Sequence, residues 1–269
     1  MKNKLLKKNT ILTILLFSLG EFLVLPFNIS GVIIFLLSHL FCLLAFRNNK
    51  ILENNVILFI SILASLFCLG CTVFIFAEIF KSFVIGYLPK LLIALIFLLF
   101  SVFIGFKNKT VINKLSTLFG SISLIFFAII FLLSLKQTQF SNLKTLNFSN
   151  NSLLYLGPII SVLLLPFYFN LYSKGNQKIP SVIAIISSLT INISLSLLPI
   201  LVFGDKLYKG LDYPPFYLVS SLSVGKLFTR IDAFLYFFVF SVFLIKAAVL
   251  VNIIKENLKK TIKIPALKN

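Results

Sequence analysis

The sequence predicts an all-α polytopic membrane protein, a bundle of about eight transmembrane helices, and three observations carry that prediction. First, 59% of the 269 residues are hydrophobic and only 12% are charged, with a mean hydropathy of +1.07. A soluble domain of this size clothes its surface in polar groups and carries about twice that charged fraction. Second, the apolar residues come in continuous runs long enough for a hydrocarbon core about 30 Å thick, which needs roughly 20 helical residues. Third, these runs lack the in/out alternation of a barrel wall, and only helices and closed barrels satisfy their backbone groups inside lipid.

Taken in order, the segments are approximately Ile11 to Phe27, Ile29 to Phe46, Val56 to Ala77, Leu88 to Phe106, Leu115 to Leu135, Leu153 to Tyr172, Ser181 to Phe203 and Asp232 to Ile254. The boundary between the first two is weak, so seven helices remain open. Met1 to Gly20 has the basic start and apolar stretch of a signal peptide, but no small-x-small cleavage site follows, and the segment reads as retained. The chain reads as a single transmembrane domain, 1–269, with a cytoplasmic N-terminal tail 1–10, an outer re-entrant-type loop 204–231 and a cytoplasmic basic tail 255–269.

Charge placement fixes the expected orientation, because cytoplasmic loops collect Lys and Arg. With the N-terminus inside, sixteen basic residues fall on the inner segments and eight on the outer ones, with Lys246 inside the last helix. An even helix number with both termini cytoplasmic follows. The formal net charge of +18 is spread over these short loops and forms no basic domain. It therefore reads as topology signal and contact with membrane lipid headgroups, and a nucleic-acid partner is excluded.

Two outer connections exceed a turn. Lys136 to Ser152 is rich in Ser, Asn, Gln and Thr and reads as a solvated loop. Gly204 to Ile231 carries Tyr213-Pro214-Pro215-Phe216-Tyr217, then the apolar, Ser-rich Leu218 to Val224 and Gly225, which predicts a short helix dipping back toward the bundle. Irregular backbone at membrane depth is tolerated only against protein or a water-filled cavity.

The candidate ligand site follows from helix-breaking residues inside spans, which expose backbone donors and acceptors at mid-depth. In the first segment Gly20-Glu21 is followed by Pro26. In the sixth, Pro158 and then Pro166-Phe167-Tyr168-Phe169-Asn170 interrupt an apolar run. Segments one and six are related by one repeat of five, as two inverted five-helix halves would be, although Gly and Pro are common in transmembrane helices generally. Glu21, Tyr168 and Asn170 are the polar ligand-binding candidates at these breaks.

Ionisable residues within spans are functional candidates by default. Glu21 could meet a substrate ammonium or a cation, pair with Lys246, or carry a proton in its neutral form. Lys246 stands eight residues before Ile254, about 12 Å along a helix, and could either snorkel to the cytoplasmic interface or face the bundle. Glu78 lies near Lys81 at the outer end of the third segment, and His39 is alone in the second; both read as structural. Cys42, Cys68 and Cys71 lie in apolar runs and read as packing residues despite the CxxC spacing of the last two. One His, scattered Ser and no paired carboxylates assemble neither a metal site nor a nucleophile, so neither a cofactor nor enzymatic activity is expected.

The stretch Phe203-Gly204, Tyr213-Pro214, Ser223-Val224-Gly225, Arg230-Ile231-Asp232-Ala233 and Lys246 resembles, in order and spacing, the GerAB spore-germination family of the amino acid-polyamine-organocation transporter superfamily. Gly20 to Pro26 resembles that family's first helix more weakly. The resemblance implies a LeuT-like inverted repeat holding a small germinant such as an amino acid between broken helices one and six. It implies germinant-receptor A and C subunits as partners and the inner spore membrane as location. Tyr213, Pro214, Gly225, Arg230 and Asp232 are carried over as gating or structural motif positions, with Asp232 placed to cap the last helix at its positive end. Family members have ten helices where eight are predicted here, so the last two are missing, and Asn170 stands where an acidic residue is expected. The implied function is a receptor subunit that binds a germinant. An amino acid permease and a non-binding scaffold subunit are the alternatives.

Overall fold

The computed structural model describes residues 2–19, 37, 55–145, 160, 163–164, 178–208, 210–222 and 232–261. Among these residues every regular element is helical: α1 Lys2–Leu19, α2 Asn55–Phe83, α3 Lys90–Phe106, α4 Lys109–Leu135, a 3-10 turn Phe140–Thr145, α5 Lys178–Tyr208, α6 Pro214–Ser221 and α7 Asp232–Thr261. Four stretches, Asn55–Phe83, Lys109–Leu135, Ile186–Gly204 and Asp232–Thr261, are long and apolar enough to cross a bilayer, and α3 is a shorter apolar helix. The second and sixth predicted segments lie almost entirely outside the described residues.

Several helices overrun the apolar runs that announce them. α1 begins at Lys2 and α7 continues to Thr261, so part of each predicted tail is helical. Lysine is a good helix former, and past the membrane a helix is limited by propensity and packing rather than by hydropathy. The junctions are short. Gly86-Tyr87-Leu88-Pro89 turns the chain between α2 and α3, and Lys107-Asn108 alone separates α3 from α4. Such brief connections make antiparallel neighbours.

α7 is the axis of the bundle, flanked by α1, α2, α3 and α4. Every residue from Ser241 to Ile253 is buried. Its direction follows from contacts at each end. Near its C-terminus Asn257 meets Ser61 at the start of α2, and Asn252 meets Gly105 at the end of α3. α7 therefore runs antiparallel to α2 and parallel to α3. Thr13 bonds Asn113 at 3.0 Å, and Leu16, further along α1, lies against Gly120, further along α4, in the register of parallel helices. One end of the bundle thus gathers Lys107, Lys109, Lys114, Lys255, Lys259 and Lys260, while Glu78, Lys90 and Lys136 mark the other.

Outward faces are apolar. Phe59, Leu63 and Phe67 of α2, Leu99 and Phe103 of α3, and Leu118, Ile125 and Leu132 of α4 are all half or more exposed. In water this belt would be an aggregation surface, whereas lipid makes it the ordinary solvent face. Inward faces carry small residues instead: Ser101 and Gly105 on α3, and Ser116, Gly120 and Ser123 on α4. Lipid is as apolar as a core, so helix association there rests on close packing between small residues. Among the described glycines Gly105 shows the closest approach, where a Cβ would fall 2.6 Å from Val251 and 2.8 Å from the Ala248 carbonyl oxygen.

Candidate functional site

Of the residues that the sequence nominates, Gly20, Glu21, Pro26, Pro166, Tyr168, Asn170, Gly225 and Arg230 lie outside the described residues. Tyr213, Pro214, Asp232 and Lys246 lie within them. The structure divides these four between the two levels of α7.

Lys246 is 1% exposed and stands fourteen residues after Asp232 in the thirty-residue α7, about 21 Å from that end. Its ammonium lies inside the bundle rather than at the interface. Ala248, two residues on and about 200° around the helix, faces α3 at Gly105, so Lys246 lies on the side away from α3. A charged group at that depth is costly unless it is paired or serves a function.

Asp232, Tyr213 and Pro214 gather at the other level, where α6 caps the bundle. Asp232 opens α7, and its carboxylate lies beside the positive end of that helix. One turn on, Tyr236 stacks on Phe216 of α6 at 5.8 Å between ring centroids. Phe83, at the end of α2, stacks on Phe216 at 4.9 Å and meets Tyr213 and Tyr217 edge-on. Pro214, Pro215, Phe216, Leu218 and Val219 are all buried. The short helix that the sequence predicts within Gly204 to Ile231 occupies Pro214–Ser221, where Pro214 and Pro215 preset the φ of a first helical turn. Burial, and then the Asp212 carboxylate, hold the Tyr213 phenol above the usual tyrosine range.

α5 contains a break that the sequence placed one residue away, at its predicted end Phe203. Pro199 has no N–H to give the Leu195 carbonyl, and Gly204 adopts φ 72°, ψ 164°, a conformation open essentially to glycine alone. The Leu201 carbonyl near this break accepts the Gln139 N–H and the Asn142 side-chain N–H, both at 2.9 Å. The 3-10 turn after α4 thus braces the interrupted helix.

Polar groups that sequence reasoning passed over complete the interior. Most buried hydroxyls bond a carbonyl one turn back in their own helix: Ser65, Thr72, Ser101, Ser116, Ser134 and Ser241 all do so at 2.7 to 2.8 Å. Asn252 donates to the Gly105 carbonyl at 3.0 Å, Lys255 to that of Phe106 at 2.9 Å, and Asn257 to the Ser61 hydroxyl at 2.7 Å. Asn252 and Lys255 satisfy carbonyls that the C-terminus of α3 leaves open, and Asn257 ties α7 to α2. Three residues break the pattern. Both amide atoms of Asn192 in α5, 3% exposed, the hydroxyl oxygen of Ser123 in α4, fully buried, and one carboxylate oxygen of Asp232 at the start of α7 have no hydrogen-bond partner among the described residues. Single polar residues inside apolar helices give no periodic signal, which is why the sequence did not single them out. At the Asp232 end of the bundle Glu78 pairs with Lys90 of α3, whose ammonium also lies 3.6 Å from the centroid of the Phe74 ring. Among the described residues no cluster of His, Cys, Asp or Glu could hold a metal ion.

A family profile for spore permeases, described as spore germination protein, matches residues 29–268. The chain belongs to the spore germination protein family. The match spans α2 to α7, the buried Lys246 and the Tyr213-to-Asp232 region included. With several apolar, membrane-length helices it makes the chain an integral membrane protein with a permease-like architecture. No curated protein matches the chain.

Proposed function

We propose that this chain is the membrane subunit of a spore germinant receptor and that it binds a small nutrient germinant, an amino acid, within its transporter-like bundle. The observation that carries the reading is Lys246, a cation 1% exposed at the midpoint of the axial helix of a permease-family protein. Structural bundles in lipid satisfy themselves with small residues and back-bonded hydroxyls, and an ammonium at mid-depth marks a solute path or its gate.

In this reading the ligand sits where segments one and six break, against Gly20, Glu21, Pro26, Pro166, Tyr168 and Asn170, in a LeuT-like arrangement. Tyr213, Pro214, Gly225, Arg230, Asp232 and Lys246 form the gating or structural frame. The concentration of lysines at one end of the bundle supports a cytoplasmic placement of both termini. The receptor A and C subunits are its partners, and the inner spore membrane its location.

The family's permease character favours a second reading, an amino acid permease that moves its ligand. Purified chain in proteoliposomes separates the two. A receptor subunit gives saturable amino acid binding without uptake; a permease accumulates labelled amino acid; a scaffold subunit does neither, and its loss destabilises the A and C partners.

A further inference from the structure

Asn192 and Ser123 stand out among the fully buried residues, whose other polar side chains are engaged; the further buried atom without a partner among the described residues is one oxygen of the half-buried Asp232, at the end of α7. Thirteen other polar or charged residues are buried, and none of them has an unpartnered side-chain nitrogen or oxygen among the described residues. An amide buried with neither its carbonyl nor its NH2 engaged is destabilising, and an apolar side chain of the same size is the more stable choice there. A membrane helix that keeps such a group holds it for something other than the ligand-free fold.

The helix registers bring the two groups to nearby levels. α1 and α4 are parallel, with Thr13 on Asn113 and the side chains of Leu12 and Leu16 against Gly120. Ser123, three residues beyond Gly120 on the same side of α4, comes level with the last described turn of α1, which runs to Leu19. α5 packs along both α1 and α4, and its Leu201 carbonyl is tied to Gln139, just beyond the end of α4. Asn192 lies nine residues before Leu201, about 13 Å back, and Ser123 lies twelve before Leu135, about 18 Å back. Gln139 itself lies up to about 6 Å beyond Leu135, so the two groups are within about two helical turns of each other in depth, on helices that both pack against α1.

From this placement, and resting on the receptor reading above, we infer that Asn192, assisted by Ser123, is a ligand-contacting residue that holds the polar head of a zwitterionic amino acid. The amide offers both donors and an acceptor, and the hydroxyl offers one of each. An ammonium and a carboxylate on one carbon are complementary to that pair, and no net charge has to be neutralised. Solutes with both kinds of hydrogen-bonding group fit, whereas inorganic anions and simple cations do not use both halves of the amide.

The test uses the full chain in detergent, with the twenty standard amino acids as probes and thermal unfolding as the readout, followed by equilibrium binding of the amino acid with the largest shift. Wild type is stabilised by at least one amino acid. In Asn192→Leu the ligand-free midpoint stays equal or rises, while binding weakens at least about ten-fold. Ser123→Ala weakens it less. Asn192→Ala serves if the leucine variant is misfolded, and loss of folding in both makes the amide a structural anchor and overturns the inference. Wild-type binding that survives in Asn192→Leu overturns the inference while the receptor reading stands. No stabilisation of wild type by any amino acid overturns the reading itself, and the inference with it.

Discussion

A lysine, a pair of glycines and a tyrosine show how much depends on position. Lys246 was recognisable from sequence as an ionisable residue inside a span, but hydropathy is indifferent to which way a side chain points, and snorkelling fitted equally well. The structure puts it in the interior. The glycines make a matched prediction. Gly105→Ala drives a methyl group into Val251 and the Ala248 carbonyl and lowers stability by about 1–3 kcal/mol, read by thermal unfolding in detergent. Gly70→Ala meets nothing within 4 Å and leaves stability unchanged or raises it by less than about 1 kcal/mol. A loss of equal size in both variants would sink the claim of a close α3–α7 contact. Tyr213 gives a pH prediction. Its phenol is held protonated in the fold, so its contribution to stability is full below the ordinary tyrosine pKa of about 10 and is lost as pH rises beyond it. Tyr213→Phe shows a smaller loss of stability than wild type between about pH 9.5 and about pH 11.

At the scale of elements, apolar runs located the helices well and their ends poorly. α2 overruns the predicted Ala77 to reach Phe83, and α7 overruns Ile254 to reach Thr261, because tertiary contacts reward the extra turns. Asn257 on Ser61 and Lys255 on the Phe106 carbonyl hold the end of α7 in place. Asn252→Leu strands the Gly105 carbonyl and costs about 1–2 kcal/mol, with faster amide exchange at the start of α4 as the local signature. Gly204→Ala forces a side chain into a glycine conformation at the break in α5 and costs about 1–3 kcal/mol. Hydrogen exchange should rise in the 140–145 turn that braces the break; an unchanged turn would mean that the two elements are uncoupled.

For the whole molecule, the two-ended charge pattern makes a prediction about sidedness. In a background without native cysteines, Asn108→Cys and Lys259→Cys react with a membrane-impermeant maleimide from one face of the membrane, and Thr138→Cys from the opposite face. Labelling of all three from one side would break the antiparallel order of α2, α3, α4 and α7. The lipid-facing belt of Phe59, Leu99 and Ile125 has no counterpart in a soluble protein, and it explains why the chain carries so little charge.

The sequence by itself determined the class of protein, the helical architecture and, through the Phe203-to-Lys246 motif, the family, and it set an expectation for sidedness. Each of these follows from one-dimensional quantities: hydropathy averaged over a span, lysine counts in loops, and the order of residues along the chain. Tertiary structure alone decided that α7 is the axis, that Lys246 is interior, that Gly105 is a point of close α3–α7 approach, and that Asn192, Ser123 and one oxygen of Asp232 are buried without a hydrogen-bond partner among the described residues. The physical reason is that lipid and protein interior are equally apolar, so hydrophobic periodicity, which tells inside from outside in water, carries little direction in a membrane.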